Sequence, residues 1–284
     1  MSRGQPDQAR KAEAFRRLHR GPKILILPNA WDVASARLFE EAGFPAVATS
    51  SAGVMVSLGY PDGEAIDREE YLAATRRIAR ALSVPLSADI VGGFGRTPDE
   101  VVSTVRRVIE AGAVGINIED QVHETKELLP LPMQVERLKA ILKLRESLDV
   151  PFVINARTDA FQRAPGESQA RLAEAIRRGI AYRDVGVDCL YPMGLTESAS
   201  IAAFVKAVEC PINVMVRKGL PAIAELQRVG VARVSFGPSA SYATMGLLRR
   251  ASTEVLERGT YTTLVDGAIS YDELNRLASP RHAQ

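Results

Sequence analysis

The sequence predicts an α/β protein built as a parallel (β/α)8 barrel, and three observations carry that prediction. Short runs rich in Val, Ile and Leu alternate with amphipathic segments of roughly ten to eighteen residues, the pattern of parallel strands joined by crossover helices. Eight such apolar runs can be counted. Four helical segments end on a glycine and re-enter a strand within two or three residues: "EAGFPAVATS", "EAGAVGINIE", "DVGVDCLYP" and "RVGVARVSF". Eight repeated units favour a closed barrel over an open doubly wound sheet.

In chain order, a helix is expected over about residues 6–20, followed by a first strand "ILILP" at 24–28. Further strands are expected at 46–50, 85–89, 114–119, 152–157, 187–192, 212–216 and 232–236. Helical patterns fill the gaps, such as 68–82, 98–112 and 168–186, with Asp or Thr near several starts. After the eighth strand "SASYATMGLLRRASTEVLERG" reads as one long helix and "SYDELNRL" as another. The whole chain, 1–284, is therefore expected to be one barrel domain with a C-terminal helical extension from about 239 to 284. That extension can pack on its own barrel or on a neighbour's.

With 284 residues, 46% of them hydrophobic, the chain can bury a large core without staples. Lys plus Arg number 36 against 34 Asp plus Glu, so a net charge of +2 offers no general attraction to nucleic acid or an anionic membrane. Neither is expected as a partner. Cys189 and Cys210 sit in apolar stretches and read as free buried thiols. The basic N-terminus has no apolar core segment, and its Asp7 and Glu13 disfavour a transit peptide, so a cytoplasmic protein is expected.

In a parallel barrel the C-terminal strand ends converge on one mouth, where active sites are built. The polar residues there are Asn29, Asp32, Thr49, Ser50, Ser51 and Asp62, then Ser87, Asp89, Asn117, Glu119 and Asp120, then Asn155, Arg157 and Asp159, and last Tyr191, Asn213, Arg217 and Ser235. Asp62, Asp89 and Glu119 would face that mouth with Arg157 across from them. An all-oxygen carboxylate set suits Mg²⁺, with Mn²⁺ as a second option, and a guanidinium opposite the ion suits a substrate carboxylate. Any single strand-end Asp caps a helix as readily as it binds a metal, and Arg157 alone can pair structurally with Asp159 or Glu119. Gly92, Gly93 and Gly95 lack the full context of a phosphate loop. "RKGLP" (217–221) reads equally as a cation near the mouth or a solvated loop, and Trp31 as a packing residue at the first strand's exit.

From "LPNAWDVASARLFEEAGFPAVATSSAG" through "LGYPDGE", "SADIVGGFG", "GINIEDQ" and "INARTDAF" to "GVARVSFGP", the chain resembles the isocitrate lyase and phosphoenolpyruvate mutase superfamily over nearly its whole length. The resemblance implies a modified barrel that swaps its last helix with a partner subunit, as a homodimer or homotetramer. It also implies Mg²⁺, a small 2-oxo or 2-hydroxy acid substrate, and C–C or P–C chemistry through an enolate-like pyruvate species. By position it assigns Asp62, Asp89 and Glu119 to the metal site. Arg157 becomes the carboxylate-binding arginine, and Ser50, with the backbone amides of Ser51 and Ala52, the loop that receives the substrate. Asn213 joins them as a substrate-binding candidate, and Arg157, Glu119 and His123 are the catalytic candidates.

Two departures stand out. Ser87 occupies the place where many members carry the first aspartate of Asp-Ala-Asp, and a hydroxyl is a weaker Mg²⁺ ligand than a carboxylate. The segment "EDQVHETKELLPLPM" lacks the lyase cysteine, and only His123 and Lys126 lie where a gating loop would carry acid–base groups. His123 acts as acid or base if that loop closes, and is otherwise a solvated histidine. The expected activity is a Mg²⁺-dependent lyase for a small 2-oxo or 2-hydroxy dicarboxylate. The rivals are P–C chemistry, such as a phosphonopyruvate hydrolase or a carboxyphosphonoenolpyruvate-type mutase, and a non-catalytic 2-oxo acid binder.

Overall fold

Parallel pairing runs continuously around the sheet. In the computed structural model, which describes residues 5–279, the strands are β1 (Leu25–Leu27), β2 (Asn29–Ala30), β3 (Val47–Thr49), β4 (Leu86–Asp89), β5 (Gly115–Glu119), β6 (Val153–Thr158), β7 (Cys189–Pro192), β8 (Asn213–Met215) and β9 (Arg233–Ser235). Six pair in the order β2-β3-β4-β5-β6-β7 and three in the order β1-β9-β8. The two sets join into a barrel at a parallel bridge between Leu190 and Ile212, and at Pro28.

Pro28 divides what the sequence presents as one first strand. Lacking an N–H, it cannot donate to either neighbour. The chain before it pairs with β9 and the chain after it with β3. Asn29 closes the seam: its Oδ1 accepts the backbone N–H groups of Phe236 and Gly237, both at 2.9 Å, and its Nδ2 donates to the Thr49 carbonyl at 2.8 Å.

The helices obey the terminal signals in the sequence. Asp67 caps α4 (Arg68–Ala81), and Thr97 with Glu100 forms a capping box on α5 (Pro98–Glu110). Gly43, Gly112, Gly186 and Gly230, the glycines of the recurring phrase, have φ of 91°, 107°, 106° and 89°, the left-handed region that ends a helix at little cost. No helix among the described residues is long and apolar enough to cross a membrane.

The strands sort their side chains by alternation. Ile116, Ile118, Ile154, Ala156, Leu190, Val214 and Val234 are buried in the main apolar cluster, with the facing helices. The alternate positions Asn117, Glu119, Asn155, Arg157, Asn213 and Arg233 belong to the other face, the barrel interior. That interior is therefore polar, unlike the branched aliphatic filling usual in such barrels.

Helix α1 (Gln5–Leu18) closes the end opposite the mouth. Phe15 is fully buried, and a Cβ on Gly115 would lie 2.7 Å from its ring, so only glycine at 115 admits the plug. Past the helix end, His19 packs edge-on against Phe15 and donates from Nδ1 to the Phe15 carbonyl at 2.8 Å. Its Nε2 then carries the lone pair and faces Arg233 Nη1 at 3.4 Å. Within residues 239–279 of the expected C-terminal extension the helices are α11 (Ser239–Arg258), α12 (Thr262–Val265) and α13 (Tyr271–Ala278). Residues 280–284 of that extension lie outside the described residues. Helix α13 packs on α2 (Val33–Glu41), where Arg276 pairs with Glu41 at 2.7 Å.

Burial, reinforced by the charge of Arg233, pushes His19 down to about 3 from an ordinary 6.5. The unfolded chain binds this proton below about pH 6.5 while the folded chain does not, so stability is lost as pH falls through that window. The His19 contribution to the loss is expected to be about 1.4 kcal/mol at pH 5.5. Urea melts at pH 7.5 and 5.5 are expected to show a smaller acid loss for His19→Gln than for the wild type; equal losses would refute the assignment.

Candidate active site

A cavity of about 140 Å³ opens at the C-terminal ends of the strands. It is smaller than the roughly 300–1,000 Å³ of pockets for drug-sized ligands, which suits a small acid. Ser50, Ser51, Ala52, Asp62, Asp89, Arg157 and Asn213 all line it, so seven of the expected site residues come together. Ser87 and Tyr191 line it as well. Glu119 and His123 do not reach its wall; they stand behind Arg157. A larger cleft of about 420 Å³ lies at the N-terminal ends of the strands, among Lys11, Arg80, Arg106 and Glu110, away from this group.

Asp89 ends β4. Its Oδ1 accepts from Asn117 Nδ2 at 2.9 Å and from the Val91 N–H at 3.3 Å, and its Oδ2 accepts from the Ser51 N–H at 3.2 Å. The backbone is held too, with Asp89 N–H donating to Thr49 Oγ1 at 2.9 Å and the Tyr71 hydroxyl donating to the Asp89 carbonyl. Asp62 reaches the cavity from the exposed loop after α3 (Ser51–Ser57). Burial of its carboxyl and the charge of Asp89 raise its pKa, while the Ser51 side chain hydrogen-bonds it. Ser51 thus stands between the two aspartates, its amide bound to Asp89 and its side chain lowering the pKa of Asp62. Ser50 caps α3 through Gly53 N–H at 3.2 Å.

Past Asp89 the chain turns sharply, with positive φ at Val91, Gly93 and Phe94. Two outside groups hold this strained loop. Glu64 Oε1 accepts the Phe94 N–H at 2.7 Å, and buried Arg137 donates from Nη2 to the carbonyls of Gly92 and Gly95. The glycine segment is a clamped turn beside the cavity.

Arg157 is the most heavily engaged side chain. It donates from Nε and Nη2 to the two oxygens of Asp159 at 2.9 and 2.7 Å, and from Nη1 to Glu119 Oε1 at 2.6 Å. The second hydrogens of Nη1 and Nη2 remain for a ligand. Although burial opposes its charge, Asp159 and Glu119 raise its pKa well above the ordinary value, and its guanidinium lies 5.7 Å from the centre of the Tyr191 ring. Asp159, at the turn after β6, receives support of its own: its N–H donates to Asp120 Oδ1 at 2.8 Å, and Asp120 Oδ2 accepts from Arg178 at 3.0 Å and Tyr182 at 2.7 Å.

Glu119, expected beside the two aspartates, gives Oε1 to Arg157 and Oε2 to His123 Nε2 at 3.1 Å. Burial raises its pKa against the pull of Arg157 and His123. For His123, burial disfavours the charged ring, but the hydrogen bond and charge of Glu119 outweigh it and the pKa is raised. The segment that holds His123 is a tight hairpin, with Gln121 bridged to Leu128 and Lys126 at φ 62°. His123 is consequently turned inward, not solvated. Asp32 caps α2, Arg217 lines a separate surface depression, and Trp31 packs in the smaller apolar cluster.

Among the described residues no three His, Cys, Asp or Glu side chains converge as a ready metal cage. The donor set nevertheless fits a mostly hydrated Mg²⁺, which takes only one or two carboxylates from its protein. Asp62 and Asp89 provide those two, and buried Ser87 Oγ, without a hydrogen-bond partner among the described residues, faces the same cavity.

Residues 15–256 match the family model described as phosphoenolpyruvate phosphomutase. The chain belongs to this family. Among its relatives, 2-methylisocitrate lyase of Escherichia coli is 32% identical over 251 residues, covering 84% of this chain and 82% of the relative. A Burkholderia cenocepacia protein assigned only as a lyase or mutase superposes with a TM-score of 0.89 at 40% identity, covering 97% of this chain and 98% of that one. Oxaloacetate acetylhydrolase, solved with its product oxalate, superposes with a TM-score of 0.84 at 25% identity, over 96% and 95% of the two chains. The family is that of the isocitrate lyase and phosphoenolpyruvate mutase enzymes, with the barrel that the sequence predicts.

Sequence reasoning passed over Arg233, which lines the floor of the cavity. Its signal was a lone charge inside the apolar run "ARVSF", on the side that alternation turns inward. It also passed over Tyr242 of α11 and Met215 of β8 on the wall.

Glu119→Gln keeps the shape and removes the charge that raises His123. The His123 pKa, followed by NMR titration of the ring protons, is expected to fall relative to the wild type; an unchanged value would show that Glu119 does not set it.

Proposed function

We propose that the chain is a divalent-metal-dependent lyase that cleaves a C–C bond in a small 2-oxo or 2-hydroxy dicarboxylic acid. The observation that carries this reading is the pair Asp62 and Asp89 in the lining of one small cavity that a permanently charged Arg157 also lines. The names of the relatives support it, since one is a 2-methylisocitrate lyase and another an oxaloacetate acetylhydrolase with oxalate. Asp62 and Asp89 would hold the ion, Mg²⁺ or Mn²⁺. When bound, it would supply Lewis-acid stabilisation of negative charge on a substrate oxygen.

The protein's own groups do the rest. The two remaining N–H groups of Arg157 would bind one carboxylate, and the ion pairs behind it fix the guanidinium in place before substrate arrives. The buried Tyr191 ring walls the site, with its hydroxyl held protonated by burial and donated to Met193 Sδ at 3.3 Å. Glu119 and His123 share a proton at the Oε2–Nε2 contact, one layer from the cavity, where they tune Arg157 instead of touching substrate.

The test is turnover of oxaloacetate, 2-methylisocitrate, 2,3-dimethylmalate and phosphonopyruvate, with and without Mg²⁺. Metal-dependent cleavage of a C–C substrate is expected, and Asp89→Ala is expected to lower it by more than about 100-fold with the fold retained. Cleavage of phosphonopyruvate alone, or undiminished activity in Asp89→Ala, would sink the proposal.

The enzyme is also proposed to act as a homodimer or homotetramer. Of the fifteen exposed large hydrophobic side chains among the described residues, twelve fall between Tyr242 and Leu274. Leu256, for instance, is 86% exposed on α11, whose first turn supplies Tyr242 to the cavity. A monomer rarely leaves so many large apolar side chains of one segment in water. Light scattering on the full chain is expected to give a multiple of 30.8 kDa, shifted toward the monomer by Leu248→Asp with Leu256→Asp. A monomeric wild type would refute this part.

A further inference from the structure

Arg233 is the first residue of β9, directly across the ladder from Asn213, the first residue of β8. It is 2% exposed, yet it lines the floor of the cavity. Its Nη1 meets the lone pair of neutral His19, and its Nε has no partner among the described residues. Nor does any described carboxylate stand within ion-pair distance of it, whereas Arg157 at the mouth has two. A guanidinium cannot shed its proton to escape burial, so the charge persists.

The unpartnered atoms cluster. Five buried side-chain polar atoms lack a partner among the described residues, and four of them belong to the barrel interior: Arg233 Nε, Ser87 Oγ, Asn155 Oδ1 and Asn213 Oδ1. Ser87 and Asn213 line the same cavity as Arg233, and Asn155 donates to Asn117, which in turn donates to Asp89. Buried polar atoms are almost always satisfied, and a group of exceptions around one cavity calls for a polar occupant. A cation with idle donors selects an anionic oxygen group. The amide oxygens and the serine beside it suit a hydroxyl or a water carried in with that group.

We propose that Arg233 anchors a second carboxylate of the substrate at the barrel floor, so that the cavity holds a dicarboxylate end-on between mouth and floor. The inference rests on the small-acid reading of this site and names the residue that selects a dianion over a monoanion. Arg233 is a binding residue here and takes no part in bond cleavage.

Lactate and L-malate differ by the second carboxylate alone and serve as probes, titrated calorimetrically against the full-length enzyme with Mg²⁺ present throughout. The wild type is expected to bind malate at least 10-fold more tightly than lactate. Arg233→Met is expected to weaken malate by about 10- to 100-fold, the range for loss of a charged hydrogen bond, and to leave lactate unchanged. Without ligand, its Tm is expected to hold or rise, because a buried charge without a counter-charge has been removed. Asn213→Asp provides a second variant that conserves shape: its carboxylate would neutralise Arg233 across the ladder and abolish the malate preference while raising the Tm. The proposal is overturned if the wild type does not prefer malate, if Arg233→Met weakens both acids equally, or if its Tm falls with the malate-to-lactate ratio intact. Should Arg233→Met not fold, the wild-type ratio and Asn213→Asp decide alone. An Arg233-dependent preference in an enzyme that cleaves none of the acids would leave the anchor standing and the lyase reading refuted; cleavage without that preference would do the reverse.

Discussion

The guanidinium of Arg157 is gripped from two sides, by Glu119 across the β5–β6 ladder and by Asp159 two residues further along its own chain. That grip depends on register, because a slip of one residue between β5 and β6 would turn Arg157 or Glu119 away from the barrel interior. It also depends on depth. Asp159 is tied through its N–H to Asp120, and Asp120 to Arg178 and Tyr182 of α8 (Ser168–Val185), so a train of buried polar contacts runs from the cavity to the outer helix layer. Removing one member of such a train strands the others as uncompensated charge, at a typical cost of about 3–5 kcal/mol. The mouth is therefore rigid before any ligand arrives, and its carboxylates are divided between two tasks. Glu119 and Asp159 hold the arginine, while Asp62 and Asp89 face the cavity.

The floor follows the opposite rule. At the mouth the guanidinium of Arg157 has two counter-charges; at the floor Arg233 rests on a neutral histidine and neighbours amides. Neutrality of His19 is part of the arrangement, since a protonated ring would put two cations side by side. Helix α1 makes this possible by sealing the barrel with Phe15, which keeps bulk water from the guanidinium and leaves the cavity as its route to an anion. The strands accept so polar an interior because their other faces bury an aliphatic layer against the helices, and the hydrophobic stabilisation comes from that layer.

Much of this was legible in the sequence. Strand and helix positions follow from alternation and from glycine stops, both local signals, and Asp62, Asp89, Ser50 and Arg157 were found because a parallel barrel dictates which strand ends share a mouth. What was not legible is pairing between strands. The sequence leaves Glu119 open between the aspartates and a structural pair with Arg157, and the choice is made by the β5–β6 register that sets it opposite Arg157, which no spacing along one strand reveals. His123 reads as part of a mobile loop because the Gln121–Leu128 bridge is formed by residues with no special turn chemistry, closed by Lys126 in a left-handed conformation. Pro28 did announce a break, yet it lay at the strand's end, where prolines are ordinary. Arg233 was missed for a simpler reason: the C-terminal strand ends point to the mouth, and Arg233 opens its strand at the other end, where the floor is built.

Ser87 takes on a second meaning against that floor. Considered as a metal ligand it is a weak substitute for aspartate, because its hydroxyl carries no charge. Considered as a neighbour of Arg233 in one small, enclosed cavity, its neutrality matters in the other direction. An aspartate at 87 would be a third carboxylate beside Asp62 and Asp89, and in a low-dielectric interior it would also draw on the Arg233 guanidinium at the floor. Serine removes that competition. Its unpartnered oxygen and the unpaired arginine are two sides of one change in charge distribution, which shifts negative charge away from the cavity and leaves a place for negative charge on a ligand. The residue that weakens the case for a tightly held ion thereby strengthens the case for a substrate that brings more than one carboxylate.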